Sequence, residues 1–349
     1  MSITRRQFTA TVGAALMLPA LRVSAAEPDE AYLKELHDAA RKEGELTWYV
    51  AHLTSELAEQ VGQMFTARYP GVRVNVVRTT AQVAYQRLSQ DLRANIANCD
   101  VFASTDIGHF LDLKDRGLLM QYVPRSHKTF DERFQNYDPD GYYSVTSSNL
   151  ISLLYNPTKL KAEDVGTSWQ ALTDPKFKGR VSVGHPGFSG FVGTWLVAMT
   201  ELYGEAFIDA LAKNQPQVGR SIIDTVTTLI SGERQVSAGP VSLALTQKAR
   251  GNPVDVIYAD EGAVLMVLPS AIMANARHPN AAKLFMEWSG SKEYASISVD
   301  EYNTPLRPDV PPREGVKSIS EIKTIQPSNE SVRTKVPELI EEWRDTFGV

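Results

Sequence analysis

Two loops of this chain combine hydroxyl and glycine residues with the start of a helix. His52, Thr54 and Ser55 stand between a predicted strand and a helix that begins near residue 55, and Ser189 and Gly190 precede an apolar helix predicted over 191–203. Helix starts carry free N–H groups and partial positive charge, so they favour anions. Glycine also lets a ligand approach the backbone closely. Each loop is therefore a candidate anion-binding site, with plain helix capping by the hydroxyl residues as the alternative.

Two arginines extend this hypothesis. Arg78 ends a predicted strand and leads through Thr79 into another helix start, and Arg220 directly precedes Ser221. A planar guanidinium can hold a carboxylate or a phosphate through two hydrogen bonds. The alternative for both arginines is an ordinary solvated position on the surface.

A third loop and one tyrosine complete the candidate binding residues. Thr105 and Asp106 end the third predicted strand, where a ligand hydroxyl or amine could be recognised, and helix capping is again the alternative. Tyr258 ends a later strand. The carboxyl ends of parallel strands are where open α/β sheets bind ligands.

No catalytic set is recognisable in the sequence. It contains no Gly-x-Ser-x-Gly elbow, no Walker loop and no His-Glu-x-x-His motif, and its six histidines are scattered. The single cysteine, Cys99, excludes an intrachain disulfide and cysteine-ligated zinc or iron–sulfur sites, and we expect it to be a small buried residue. The chain is therefore predicted not to be an enzyme and to hold no cofactor or metal. An exported hydrolase is the alternative from another functional class.

The composition is that of a folded, soluble protein. Apolar residues make up 43% of the 349 residues and charged residues 22%, which excludes intrinsic disorder. The net charge of −5 becomes −8 without the first 26 residues, and no block of lysine and arginine occurs. This charge pattern argues against a nucleic-acid partner. Because single cores stop growing at roughly 250–300 residues, we expect two lobes.

The first 26 residues are predicted to be an export signal. Arg5 and Arg6 precede an apolar stretch over 10–21, and small residues end the segment at Ala26. Such a stretch is shorter than the roughly 20 residues that span a membrane. The adjacent arginines indicate twin-arginine export. The mature protein is therefore expected to be soluble in the periplasm.

Strand and helix patterns alternate along the mature chain. Strands are predicted over 46–50, 72–78 and 101–103, with helices between them, including a long one over 81–98. The second half repeats the alternation and ends in a helix predicted over 336–346. This pattern is typical of an α/β protein with mostly parallel sheets covered by helices on both faces.

The order of short motifs resembles that of bacterial extracellular solute-binding proteins of ABC importers, in the branch that binds ferric iron, thiamine or organophosphates. The motifs are Leu46–Val50, Tyr69-Pro70-Gly71, Gly117-Leu118-Leu119, Tyr155-Asn156-Pro157, Thr173–Gly179, Gly232-Glu233, Gly262 and His278–Phe285. The resemblance implies a two-lobed, type II clamshell that acts as a monomer with a membrane permease. It places lobe 1 at 27–149 plus 260–310 and lobe 2 at 150–259 plus 311–349, with hinge strands near 150–155 and 258–266.

The resemblance also bears on the ligand. Ferric-binding relatives use two adjacent tyrosines just after the segment that matches Gly232–Val236, whereas this chain has Ser237–Pro240 there. Tyr142 and Tyr143 lie much earlier and are predicted to pack in the fold. The expected ligand is therefore a small organic anion, a carboxylate or a phosphate ester. Two alternatives stay open: ferric iron, and a cation such as thiamine, for which the candidate ligands are Asp106, Asp224 or Glu261 with Tyr258.

Overall fold

The computed structural model describes residues 28–349, and the predicted export signal at 1–26 lies outside this range. The first half of the described chain alternates helices and strands as α1 Glu30–Glu43, β1 Glu45–Val50, α2 Ser55–Arg68, β2 Arg73–Arg78, α3 Ala81–Arg93, β3 Val101–Ala103, α4 Ile107–Asp115 and β4 Ser144–Tyr155. The second half continues as α5 Ala162–Val165, β5 Val181–Gly184, α6 Gly190–Tyr203, α7 Ala206–Lys213, β6 Gln217–Gly219, α8 Ile222–Ser231, β7 Val236–Pro240, α9 Val241–Ala249, β8 Asp255–Ile257, β9 Ala263–Ile272, α10 Pro279–Trp288, α11 Lys292–Asp300, β10 Thr324–Ile325 and α12 Asn329–Phe347.

The strands form one sheet whose order is β2-β1-β3-β9-β4-β7-β5-β6, with β10 on β9 and β8 on β4. β1 pairs in parallel with β2 and β3, and β5 pairs in parallel with β6 and β7. Between these two parallel parts run the antiparallel strands β4 and β9. β4 pairs with β9 over residues 144–151 and with β7 over 151–155, so it joins both parts. The α/β fold expected from the alternating pattern is confirmed.

Aromatic side chains anchor the elements that carry the first candidate loop. The ring of Phe285 on α10 lies 5.0 Å from that of Trp48 on β1 and 5.2 Å from that of Phe65 on α2. All three side chains are buried. Such offset and edge-to-face pairs add stability beyond the apolar area they bury. β1 and α2 are thereby held firmly on both sides of the loop at residues 51–54.

An equivalent cluster anchors the second candidate loop. The ring of Trp195 on α6 lies 6.3 Å from that of Trp169 and 6.1 Å from that of Phe207 on α7. Trp169 and Trp195 are fully buried. α6 is almost wholly apolar along its length, as expected for a helix surrounded by protein.

Two helix boundaries differ from the sequence-based expectation. α3 ends at Arg93, before residue 98, because the chain turns at Asn95, whose φ of 56° is left-handed. α12 begins at Asn329, seven residues before the predicted start, because the Ser328 side chain caps it by accepting from the N–H of Ser331. Pro337 lies inside this helix.

α12 packs against elements from both ends of the sheet. It contacts α6, α7 and α4. Arg333 forms an ion pair of 3.1 Å with Asp115 on α4, and Lys335 forms one of 3.0 Å with Glu201 on α6. Among residues 28–349, no helix is both long and apolar enough to cross a membrane.

Candidate functional site

A cavity of about 120 Å³ opens where loops from the two parallel parts of the sheet face each other. We call the loops after β1, β2 and β3 the first wall, and the loops after β5, β6 and β7 the second wall. The first wall contributes these residues to the lining of the cavity: Ala51, His52, Leu53, Thr54, Arg78, Thr80, Ala81 and Thr105. The second wall contributes Phe188, Ser189, Phe191, Ser221, Ile222, Ile223, Pro240, Ser242 and Leu243. Loops at the carboxyl ends of parallel strands build both walls, as the sequence predicted.

Several helix starts meet at this cavity. Thr54 caps α2 by accepting from the N–H of Leu57 at 3.2 Å, and Ser221 caps α8 by accepting from that of Ile223 at 3.3 Å. By contrast, Thr80 and Ser189 make no capping hydrogen bond to α3 and α6. The hydroxyl of Thr80 is buried and has no partner among the described residues. The first turns of α3 and α6 therefore keep N–H groups that a bound anion can accept from.

Arg78 brings a positive charge into the first wall. Its Nε donates to the carbonyl of Leu53 at 2.7 Å. Within residues 28–349 no carboxylate lies within ion-pair distance of this guanidinium. Burial lowers the pKa of Arg78, since the half-buried cation has lost part of its hydration. A half-buried cation without a counter-ion is a suitable partner for an anionic ligand.

His52 lies beside this arginine with unused hydrogen-bonding capacity. Both ring nitrogens are sealed from solvent and have no hydrogen-bond partner among the described residues. Burial, and next the charge of Arg78, lower the pKa of His52 to about 4. The imidazole is therefore neutral at pH 7 and offers a ligand one donor and one acceptor.

This sealed histidine predicts a pH dependence of stability. The unfolded chain protonates His52 near its ordinary pKa of 6.5, while the folded chain keeps it neutral down to about pH 4. Unfolded protein thus binds more protons between these values, so acidification to pH 5 costs on the order of 1–2 kcal/mol of stability. In His52→Gln we expect a smaller drop in melting temperature from pH 7 to pH 5 than in the wild type. An equal drop in both proteins would contradict the neutral, sealed histidine.

The two walls touch at Gly190. A β-carbon built on this residue would lie 2.4 Å from the carbonyl oxygen of Thr105 and 2.8 Å from the amide nitrogen of Asp106. Only a glycine permits such a close approach of two backbones. Gly190 therefore contributes to the contact between the walls, although its own atoms do not line the cavity.

Three other predicted residues lie at the margin of the cavity rather than in its lining: Ser55, Thr79 and Arg220. Ser55 is the exposed first residue of α2, and Thr79 lies between Arg78 and the helix cap. The guanidinium carbon of Arg220 lies 4.9 Å from the ring centre of Phe188, which does line the cavity. This contact places Arg220 at the rim.

The proposed cationic site is not assembled. Oδ1 of Asp106 accepts from the N–H of Gly108, and Oδ2 accepts from the Gln82 amide, each at 2.9 Å. Asp224 caps α8, and Glu261 accepts hydrogen bonds from Ser168 and Tyr203. Tyr258 lines a smaller neighbouring cavity, where Lys317 lies over its ring. The structure therefore does not bring these acids together with Tyr258 around a ligand.

Several residues that line the cavity were not predicted from the sequence. They are polar residues of β4, α9, α11 and the segment after α11, namely Ser147, Asn149, Ser242, Ser298, Glu301 and Asn303. Thr80, one residue beyond the predicted Thr79, could have been found because it directly precedes the helix predicted from residue 81. No local signal distinguishes Glu301, because it reaches the cavity only through the packing of α11.

The arrangement offers little to a metal ion. Among residues 28–349 no group of three or more histidine, cysteine, aspartate or glutamate side chains could hold one. Tyr143 is buried and packs against Phe110 at 5.6 Å between ring centres, in agreement with its predicted packing role, and neither it nor Tyr142 lines the cavity. Within the described lining, Tyr294 is the only tyrosine. Cys99 is buried, as expected.

Comparisons with known proteins show which folds this chain resembles. AfuA from Actinobacillus pleuropneumoniae, a periplasmic binding protein solved with exogenous fructose-6-phosphate, has a TM-score of 0.78 at 21% identity, covering 88% of this chain and 99% of that one. Iron-bound HitA from Pseudomonas aeruginosa has a TM-score of 0.74 at 18% identity, covering 86% and 99%. Iron uptake protein A1 of Synechocystis is 24% identical over 284 residues, covering 74% of this chain and 75% of its own.

These structures share the type II periplasmic-binding-protein fold that the motif order implied. The profile of the bacterial extracellular solute-binding proteins matches residues 97–323, which is more than half of the chain. The chain therefore belongs to the family of bacterial extracellular solute-binding proteins.

Proposed function

We propose that this protein is the periplasmic component of an ABC importer and that it captures a small organic anion, a carboxylate or a phosphate ester. The observation that carries the proposal is the half-buried Arg78, which lacks an acidic partner within residues 28–349 and lines a cavity where helix starts meet. The protein acts as a monomer that delivers its ligand to a membrane permease. Its function is binding without catalysis.

The electrostatics of the cavity support an anion. The starts of α2, α3, α6, α8 and α9 all contribute lining residues, and each adds partial positive charge. Arg78 adds a full charge, and neutral His52 adds a hydrogen bond. The cavity volume of about 120 Å³ is below the roughly 300–1,000 Å³ typical of drug-sized ligands, so the ligand is small.

Closure around the ligand follows from the position of the two walls. In this proposal lobe 1 spans 27–149 plus 260–310, lobe 2 spans 150–259 plus 311–349, and β4 and β9 form the hinge. A ligand shifts the equilibrium towards the closed form only if it contacts both lobes. Arg78 in the first wall and the start of α6 in the second wall provide such contacts.

Export through the twin-arginine pathway, with removal of residues 1–26, delivers the protein to its site of action.

Thermal stability provides the first test of this function. Ligand at about 100 times a micromolar Kd adds about 2.7 kcal/mol to the free energy of unfolding. At about 2–4 °C per kcal/mol, we expect the right carboxylate or phosphate ester to raise the melting temperature by at least several degrees. Ferric citrate and thiamine serve as comparison ligands. A shift with ferric salts alone, together with a visible phenolate-to-iron absorption band, would contradict the anion proposal in favour of iron.

A further inference from the structure

Glu301 lines the same cavity and is its only carboxylate among the described lining residues. Its backbone carbonyl accepts from the Thr246 hydroxyl at 3.2 Å, which ties the segment after α11 to α9. Its side chain, in contrast, makes no hydrogen bond or ion pair with any residue in 28–349. The half-buried carboxylate thus faces the cavity region with its hydrogen-bonding capacity unused.

The arginines that follow Glu301 in the chain are engaged elsewhere, and the nearer of them, Arg307, pairs with Asp309 at 2.9 Å. Nη1 of Arg313 donates to the carbonyl of Asp300 at 3.2 Å, and its guanidinium carbon lies 4.5 Å from the ring centre of Tyr302. Arg78, the cation of the lining, lies more than 4.0 Å from the Glu301 carboxylate, since the two form no ion pair. The described part of the lining therefore holds one positive and one negative group, and the two do not neutralise each other by direct contact.

The two asparagine side chains near Glu301 are satisfied within the protein. Asn149 donates to Ser242 at 2.8 Å, and Asn303 donates to the carbonyl of Ser148 at 2.6 Å. Their amide oxygens also accept backbone N–H bonds, from Leu150 and from Thr304. Glu301 is the one negatively charged acceptor among the described lining residues, and it suits a positively charged donor.

Another part of the lining is apolar. Leu57, Ile223, Leu243, Leu268 and Ile297 contribute to it. Such surface suits a short aliphatic chain, because its burial is favourable at about 25 cal/mol per Å². A half-buried charge is stabilised by an opposite charge from a ligand, and the cavity has one of each sign to satisfy.

We propose that the ligand is a small zwitterion whose anionic group binds Arg78 and the helix starts, whose ammonium group binds Glu301, and whose two charges are joined by a short aliphatic spacer. This inference rests on the proposed capture of an anion and adds a requirement for the amine. It makes Glu301 the residue that determines specificity.

The test compares matched ligands by titration calorimetry on the mature protein after removal of co-purified ligand. Each set has the same acid group and the same chain of two to four carbons, and ends in an amine, a hydroxyl or a methyl group. Both carboxylates and phosphonates are used. We expect at least one amine to bind tenfold or more tightly than its hydroxyl and methyl counterparts. In Glu301→Gln this preference should fall below threefold, whereas the exposed-site control Glu314→Gln should keep it.

Each other outcome overturns the inference in a distinguishable way. If methyl-ended acids bind as tightly as amines, the anion proposal stands and the zwitterion is wrong. If hydroxyl-ended acids match the amines, Glu301 recognises a neutral donor. If the amine preference survives in Glu301→Gln, another group recognises the ammonium. If no member of any set binds but other organic anions do, the zwitterion is wrong and the proposed function stands; if no organic anion binds, both fail.

Discussion

Arg78→Gln is expected to weaken anion binding by roughly tenfold to a hundredfold. The guanidinium is half-buried in the first wall and has no acidic partner within residues 28–349, so in the proposed function the anion is its counter-ion. A hydrogen bond to a charged group contributes on the order of 1.5–3 kcal/mol, and each 1.4 kcal/mol is a factor of ten in affinity. Titration calorimetry of wild type and variant with the anion found by thermal shift measures this loss.

Arg220→Gln is the variant to compare with Arg78→Gln. From the sequence alone both arginines are equal candidates, but Arg220 stacks on Phe188 at the rim and is exposed. We therefore expect its substitution to cost less than a factor of five, and Arg93→Gln, at the exposed end of α3, to cost nothing measurable. A larger loss for Arg220→Gln than for Arg78→Gln would place the anion at the rim and contradict our assignment.

Gly190→Val is expected to prevent the cleft from closing. The first added carbon already lies 2.4 Å from the Thr105 carbonyl oxygen, and backbone cannot move aside as a flexible side chain can. Separation of the two walls relieves the clash, so the variant should fold with unchanged circular dichroism but bind the anion at least tenfold more weakly. Small-angle scattering should show a smaller radius of gyration with ligand in the wild type and no such change in the variant.

Gly190→Ala provides a second variant with a smaller side chain at the same contact. If the contact belongs to the closed form, Gly190→Ala should also bind the anion more weakly and should also lose the ligand-induced decrease in the radius of gyration. Ligand-induced compaction of both variants, equal to that of the wild type, would show that closure does not require this contact. A wild-type radius that is identical with and without bound ligand would contradict hinge motion itself.

The sequence predicted the fold well where local signals determine an element. Thr54 is a strong boundary signal, and α2 begins directly after it at Ser55, close to the predicted start. The predicted end of α3 and the predicted start of α12 were wrong because Asn95 and Ser328 act through backbone conformation and capping rather than through apolar spacing. Hydrophobic periodicity does not report such features.

The same distinction between local signals and distant contacts explains which residues of the candidate site could be predicted. His52, Arg78 and Ser189 were predicted because strand-to-helix loops can be recognised in a sequence, and all three line the cavity. Glu301 and Asn149 reach it only through the packing of α11 and the pairing of β4 with β9, which are interactions between distant residues. Their roles therefore require the three-dimensional structure.

The pairing of β3 with β9 determines the order in which this protein can fold. Val101 pairs with Ile272, so β3 has an unpaired edge until more than 160 further residues have emerged from the ribosome. Such distant contacts close large loops and slow folding, and an exposed strand edge favours aggregation. Fragments that end before residue 263 lack the whole of β9. The amino-terminal half should therefore be insoluble when produced alone, and the full chain should fold slowly enough to benefit from chaperones.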